Sequence, residues 1–285
     1  MAAKKERKIP LIFHIHSTKS GRSLGAGSET ITYIELKGGK KADGIITVSK
    51  AMKEQLITLG FPKEKINVCW NGVNPDKYDP NRFTQKEIND LRKKYDINKN
   101  NIMLFFVGRL VTVKGVDKLV RAMPSVINEF PQCKLVILGV GDMKELLVSL
   151  IEKHNLREHV ILVTEFVDED QRILHYAASD IVILPSLYEP FGIVCTEAMS
   201  MGKPVVVGAT GTNGMREQII TKGKMQCGFH VDPYKPEDIT WGIKQILNRD
   251  DLGKKLGKNA RNRVLKEFSW DVISKRTIDI YKKYV

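Results

Sequence analysis

The chain has 285 residues, 42% hydrophobic and 28% charged, which suits one large or two modest globular domains and excludes wholesale disorder. Its net charge of +13 favours polyanionic or phosphorylated partners, but the lysines are scattered and aromatics are only 7%, so a solvated Lys/Glu-rich surface is preferred to a nucleic-acid footprint. No apolar run approaches the ~20 residues of a membrane helix, the basic start precedes too short an apolar stretch for a signal peptide, and a cytoplasmic location is expected.

Along the chain, short apolar runs alternate with stretches of helical period. Leu11-Ile12-Phe13 reads as a strand, and 28–37 as a helix with Ser28 as N-cap. A strand at 44–48 leads to a helix that Ser49 caps and that Gly60 and Pro62 close; 66–70 is a third strand. The segment 71–82, rich in Asn, Asp, Pro and Gly, reads as a linker, followed by a polar helix near 85–95. Apolar runs then recur at 102–107, 134–138, 160–163, 181–184, 204–207 and 228–231, with helical stretches between them. Short, continuous, β-branched runs suit strands buried on both faces of a parallel sheet, and the alternation implies right-handed βαβ crossovers. Residues 236–284 read as helical throughout. The expectation is an α/β protein with a doubly wound parallel sheet in 96–268, a smaller Rossmann-like unit with its linker in 1–95, and a final helix at 269–285. Cys69, Cys133, Cys195 and Cys227 lie far apart with no zinc spacing and read as buried free thiols.

Ligands of such sheets bind beyond the carboxyl ends of the strands, so the loops there carry the search for chemistry. Gly108 to Gly115 offers two glycines, the Arg109 fork and the Lys114 charge ahead of a helix N-terminus. That combination suits a diphosphate, or is simply a tight turn with two solvated cations. Gly139-Val140-Gly141 lacks the third glycine of a dinucleotide fingerprint; it reads as a tight turn that brings Gly141 near the ligand. In 185–199 a strand ends in proline, Glu189 sits in the loop, and a helix opens near Gly192. The free amides around Phe191, Gly192 and Ile193 can hold an anion. Glu197, four residues after Ile193, shares that helix face. Paired carboxylates beside a bound anion suit sugar hydroxyls.

At these residues the chain resembles a known family. Glu189-x7-Glu197 within Tyr-Glu-Pro-Phe-Gly-Ile resembles the E-x7-E motif of retaining glycosyltransferases with two facing Rossmann-like domains (the GT-B fold), and Gly-Arg-Leu-x3-Lys-Gly at 108–115 resembles their phosphate loop. His14-Ile15-His16-Ser17-Thr18, the 21–29 loop and Trp70-Asn71-Gly72-Val73 are most similar to archaeal-type glycogen synthases. The resemblance covers nearly all the chain. It implies transfer of glucose or a similar sugar from UDP- or ADP-glucose to a glucan or other glycan, with retention of configuration and without a metal or other cofactor. Arg109 and Lys114 would neutralise the leaving diphosphate, Glu189 would hold the hexose, Glu197 the ribose, and His16 would orient a sugar hydroxyl or touch the reaction centre. His14 is expected on the opposite side of the strand, as a structural residue. Gly108, Gly141 and the Gly211 turn would face the donor, and backbone near Phe166 and Val167 the base.

The beginning departs from the family pattern. The first strands and glycine-rich loop of its N-terminal domain have no counterpart here, which implies a fragment or a separate chain that supplies the missing half. The alternatives are a nucleotide-sugar-binding module or split-enzyme subunit without turnover, and a basic nucleic-acid binder. A glycosidase also pairs carboxylates, but Arg109 and Lys114 argue against it.

Overall fold

The computed structural model describes residues 9–22, 29–249 and 251–285. The expected cap Ser28 and most of the 21–29 loop lie outside them. The chain forms two parallel sheets. The first unit holds β1 (Ile12–Ile15), α1 (Lys19–Arg22), α2 (Glu29–Lys41), β2 (Gly44–Thr47), α3 (Lys50–Thr58) and β3 (Ile66–Val68), with strand order β1-β2-β3. Alternation divides β2 between two small cores. Ile45 packs with Ile15, Met52, Leu56 and Phe61 on one face. Ile46 packs on the other with Cys69, Ile273 and Ile280. Ser49 caps α3 by accepting the Met52 amide at 3.0 Å, and Gly60, at φ +88°, turns the chain out of that helix.

The second unit holds α4 (Gln85–Lys94), β4 (Ile102–Val107), α5 (Val116–Glu129), β5 (Cys133–Leu138), α6 (Lys144–Lys153), β6 (Val160–Val163), α7 (Glu169–Ala178), β7 (Ile181–Leu184), α8 (Ile193–Ser200), β8 (Val205–Gly208), α9 (Met215–Gln218) and β9 (Gly228–Val231). Its six strands are all parallel in the order β6-β5-β4-β7-β8-β9. This is the doubly wound arrangement, and the order reverses between β4 and β7. Burial on both faces explains the unbroken apolar runs: along β4, Met103, Phe105 and Val107 enter one core and Leu104 and Phe106 the other.

The tail is three helices rather than one continuous stretch: α10 (Pro236–Leu247), α11 (Leu252–Glu267) and α12 (Trp270–Tyr281). Asp251, at φ +59°, breaks the first junction, and Ser269 caps α12. The α12 helix packs back on the first sheet through Ile273 and Ile280. The junction between units lies earlier than residue 95. Val73, Tyr78, Leu91 and Tyr95 all join the second unit's core, so α4 belongs there and the crossing is near residue 73. The two crossings run side by side: the Val73 amide donates to the Phe268 carbonyl at 2.8 Å, and the Trp270 amide to the Val73 carbonyl at 3.2 Å.

The four cysteines are free and buried. Among the described residues, no helix is long and apolar enough to cross a membrane.

Candidate active site

Where strand order reverses, the loops after β4 and β7 diverge and leave a crevice. A cleft of about 420 Å³ opens there, lined by residues from both units. Arg109, Val113, Lys114 and 188–194 form its second-unit wall; His16, Ser17, Arg22 and Asn71 form the opposite one. Three loops build the second-unit wall by close backbone contact. The Leu187 amide donates to the Val113 carbonyl at 2.8 Å, and Leu110 donates to Val140 at the same distance. Gly115 stands at φ +65°, where a Cβ would lie 2.1 Å from the Pro185 carbonyl oxygen. A Cβ on Gly141 would lie 2.2 Å from the Leu110 oxygen. Gly141 thus serves the packing of loop on loop and is not among the cleft's lining residues. Gly108, at φ +155°, is likewise not among the lining residues.

Glu189 is 9% exposed, and its carboxylate pairs with the Lys114 ammonium. Its backbone is fixed on both sides: its amide donates to Thr212 at 3.1 Å, and its carbonyl accepts Gly214 at 2.7 Å. Arg109 is exposed, and among the described residues no side chain pairs with its guanidinium, which is free to meet an anion. Gly192, at φ +86°, turns the chain into α8, so Phe191, Gly192 and Ile193 present the opening of that helix to the cleft. His16 faces this wall from the other unit.

One sequence expectation is corrected. His14 does not face away from His16. Their rings stack 6.2 Å apart, because residues two apart on a strand share a face. His14 is held by the Tyr281 hydroxyl at 3.0 Å, and burial, then the neighbouring His16, lowers its pKa. Glu197 is not part of the cleft lining. It is 6% exposed one turn down α8. One oxygen accepts the Tyr78 hydroxyl at 2.8 Å; the other accepts Tyr176 at 2.8 Å and pairs with Arg172. Burial, reinforced by this carboxylate, raises the Tyr78 and Tyr176 phenol pKa values. Burial works against the Arg172 charge, but Glu197 outweighs it and the guanidinium is held more firmly protonated.

Gly211, at φ +58°, is exposed beside the cleft rather than in its wall. Phe166 stands 91% exposed in the loop after β6. Sequence reasoning did not single out Ser17, Arg22, Asn71 or Tyr188 as site residues. Arg22 donates to Ser17 at 2.7 Å; both lie in segments that carry the resemblance, but nothing in their side chains alone marks the contact.

Known proteins are similar to this chain in sequence and in fold. The family description "Glycosyl transferases group 1" matches residues 87–263, and "Glycosyltransferase Family 4" matches residues 1–77. An uncharacterized glycosyltransferase of Methanocaldococcus jannaschii is 37% identical over 279 residues, which are 96% of this chain and 70% of that protein. A glycogen synthase of Mycobacterium tuberculosis is 27% identical over 281 residues, 96% of this chain but 63% of its own length. Among solved structures, sucrose-phosphate synthase of Thermosynechococcus elongatus superposes with a TM-score of 0.80 at 26% identity, over 95% of this chain and 67% of that one. Anabaena HepE, solved in complex with UDP and glucose, gives 0.84 at 23% identity over 99% and 74%, a likeness of fold. On the strength of the family match and the Methanocaldococcus relative, this chain belongs to the group 1 glycosyltransferases, with the GT-B fold.

Proposed function

We propose that the chain transfers a hexosyl group, glucose in the first instance, from UDP- or ADP-glucose to a glucan or other glycan acceptor with retention of configuration. The observation that carries this reading is the meeting of Arg109, Lys114, Glu189 and the opening of α8 in one cleft at the reversal of strand order, with His16 opposite. The similarity to a glycogen synthase supports the choice of sugar and acceptor.

In this reading the bond from the anomeric carbon to the diphosphate oxygen breaks, and a bond to an acceptor hydroxyl oxygen forms on the same face. The hydroxyl proton passes to the departing phosphate oxygen. Negative charge grows on the diphosphate as it leaves, where Arg109, Lys114 and the α8 amides stabilise it; such prearranged charge is usually the largest catalytic contribution. Glu189 accepts hexose hydroxyls and, through its pairing, aims the Lys114 ammonium at the phosphate side. His16 orients a sugar hydroxyl. The resemblance gives Glu197 the ribose, for which its Oε1, accepting the Tyr78 hydroxyl alone among the described residues, keeps acceptor capacity. Gly108 and Gly141 shape the wall, and Gly211 borders it. In this reading Arg109, Lys114 and the α8 amides carry that charge, and no metal ion is expected.

A second reading is a donor-binding module, or a subunit whose companion chain completes the acceptor side. It is favoured because Arg109, Lys114 and Glu189 all sit on the six-stranded unit.

Calorimetric titration with UDP- and ADP-glucose, paired with a transfer assay on glycogen, separates these readings. Binding with transfer supports the enzyme, binding without transfer the module. Arg109→Ala is the cleanest probe, because it breaks no internal ion pair. Its loss should weaken donor affinity at least about tenfold, the scale of one charge-assisted contact, with no change in melting temperature. Unchanged affinity would remove the phosphate site. Glu189→Ala should chiefly lower transfer.

A further inference from the structure

The two units are joined by a carboxylate that the reaction scheme leaves unused. Glu217 lies in α9 of the second unit, and both its oxygens cross to the first. One accepts the Ala51 amide at 2.8 Å; the other accepts the Lys50 amide at 3.0 Å and the Trp70 indole N–H at 3.1 Å. Lys50 and Ala51 open α3, whose first amides have no partner inside the helix. Ser49 takes the Met52 amide, so Glu217 completes the cap from the other unit and places its negative charge at the positive helix end. The Ser49 hydroxyl in turn donates to the Pro190 carbonyl at 2.6 Å, next to Glu189.

Glu217 is itself held. Arg263 donates to its backbone carbonyl at 2.9 Å and to that of Gln218 at 2.8 Å. Three residues upstream, Gly214 donates to the Glu189 carbonyl at 2.7 Å. A Cβ on Gly214 would lie 2.2 Å from the Pro190 oxygen, so the two loops are in direct contact. An unbroken set of bonds therefore runs from α3 through Glu217 to the backbone of Glu189.

We propose that Glu217 is a positioning residue that locks the first unit onto the Glu189 loop and so fixes how far His16, Ser17 and Arg22 stand from Lys114 and Glu189. The residues that would hold the donor's phosphates lie on the second unit alone, so the lock acts on the assembly of the cleft rather than on phosphate binding. The catalytic consequence rests on the reading of the cleft given above; the mechanical one does not.

The test uses Glu217→Ala and the near-isosteric Glu217→Gln, which keeps one amide acceptor and guards against misfolding of the alanine variant. Both are compared with wild type by small-angle scattering without ligand. They are also compared by Trp70 emission, in a background where Trp241 and Trp270 are phenylalanine. The alanine variant should show a larger radius of gyration and red-shifted Trp70 emission, with the glutamine variant in between. In kinetics with UDP-glucose and glycogen, kcat should fall by about a hundredfold, the cost of a ~1 Å misplacement. UDP-glucose affinity should stay within about threefold, since the Arg109 and Lys114 contacts remain. A merely structural loss would lower the melting temperature without that split. Unchanged scattering and emission in both variants overturn the lock, whatever the activity. A wild-type chain inert toward UDP- and ADP-glucose overturns the functional reading but leaves the scattering result to judge the lock.

Discussion

Glu189 and Glu197 leave the same stretch of backbone eight positions apart and meet opposite surroundings. The first shares its charge with one lysine at the edge of an open cleft. The second is closed in by two phenols and a guanidinium. The spacing and the strand-loop-helix frame were legible in the sequence. The surroundings were not, because Tyr78 lies 119 positions from Glu197 and nothing local to the glutamate announces it. Glu217 was missed for the same reason: its partners are main-chain amides 166 and 167 positions away, and a lone glutamate in a four-residue helix carries no pattern. The Glu197 network can be measured. Glu197→Gln leaves Arg172 only the more exposed Glu169 as counter-ion, and removing one member of a fully buried pair costs ~3–5 kcal/mol. The Arg172 side chain keeps 25% of its exposure, so about 2 kcal/mol is expected here after solvent screening. It should be read as a lower urea midpoint at unchanged slope. A midpoint equal to wild type would show that the pair contributes nothing.

Elements were more legible than side-chain environments. The apolar runs from 102 to 231 declare their strands because both faces of the six-stranded sheet are covered and each position must be apolar. The four-residue α1 and the break at Asp251 escaped the reading, since a single turn has no period to detect and an aspartate in the left-handed region looks like any other, whereas the final helix was placed at 269. The end of α7 shows a different device. Lys203 tucks its amine under the Ala177 and Ser179 carbonyls, both at 2.8 Å, and supplies positive charge at the helix C-terminus. Burial pushes its pKa down to about 8 from the ordinary 10.5, with Asp180 opposing the shift. Below pH 8 both folded and unfolded chains carry this proton, and the folded state bears the cost of a buried charge. Between pH 8 and 10.5 the unfolded chain binds more protons, so this group adds stability as pH rises. Wild type should therefore gain stability relative to Lys203→Met across that window in urea titrations. A constant difference would place the lysine in solvent.

At the scale of the molecule, the units are unequal. The six-stranded unit owns two extensive cores, whereas the three-stranded unit rests on two small ones, one of them completed by α12. Limited proteolysis should therefore cut first before Asn71 and leave a fragment containing 100–268. Greater resistance of 9–70 would contradict this. The side-by-side crossings carry a mechanical consequence. Because the chain leaves the first unit near Val73 and returns at Ser269, the larger unit is a guest threaded into the smaller one. Tension applied between Ile9 and Val285 loads the host first. The guest feels no force until the bonds between Val73, Phe268 and Trp270 shear. Pulled by these two ends, the molecule should yield in two steps, with the half that carries Arg109, Lys114 and Glu189 the last to give way.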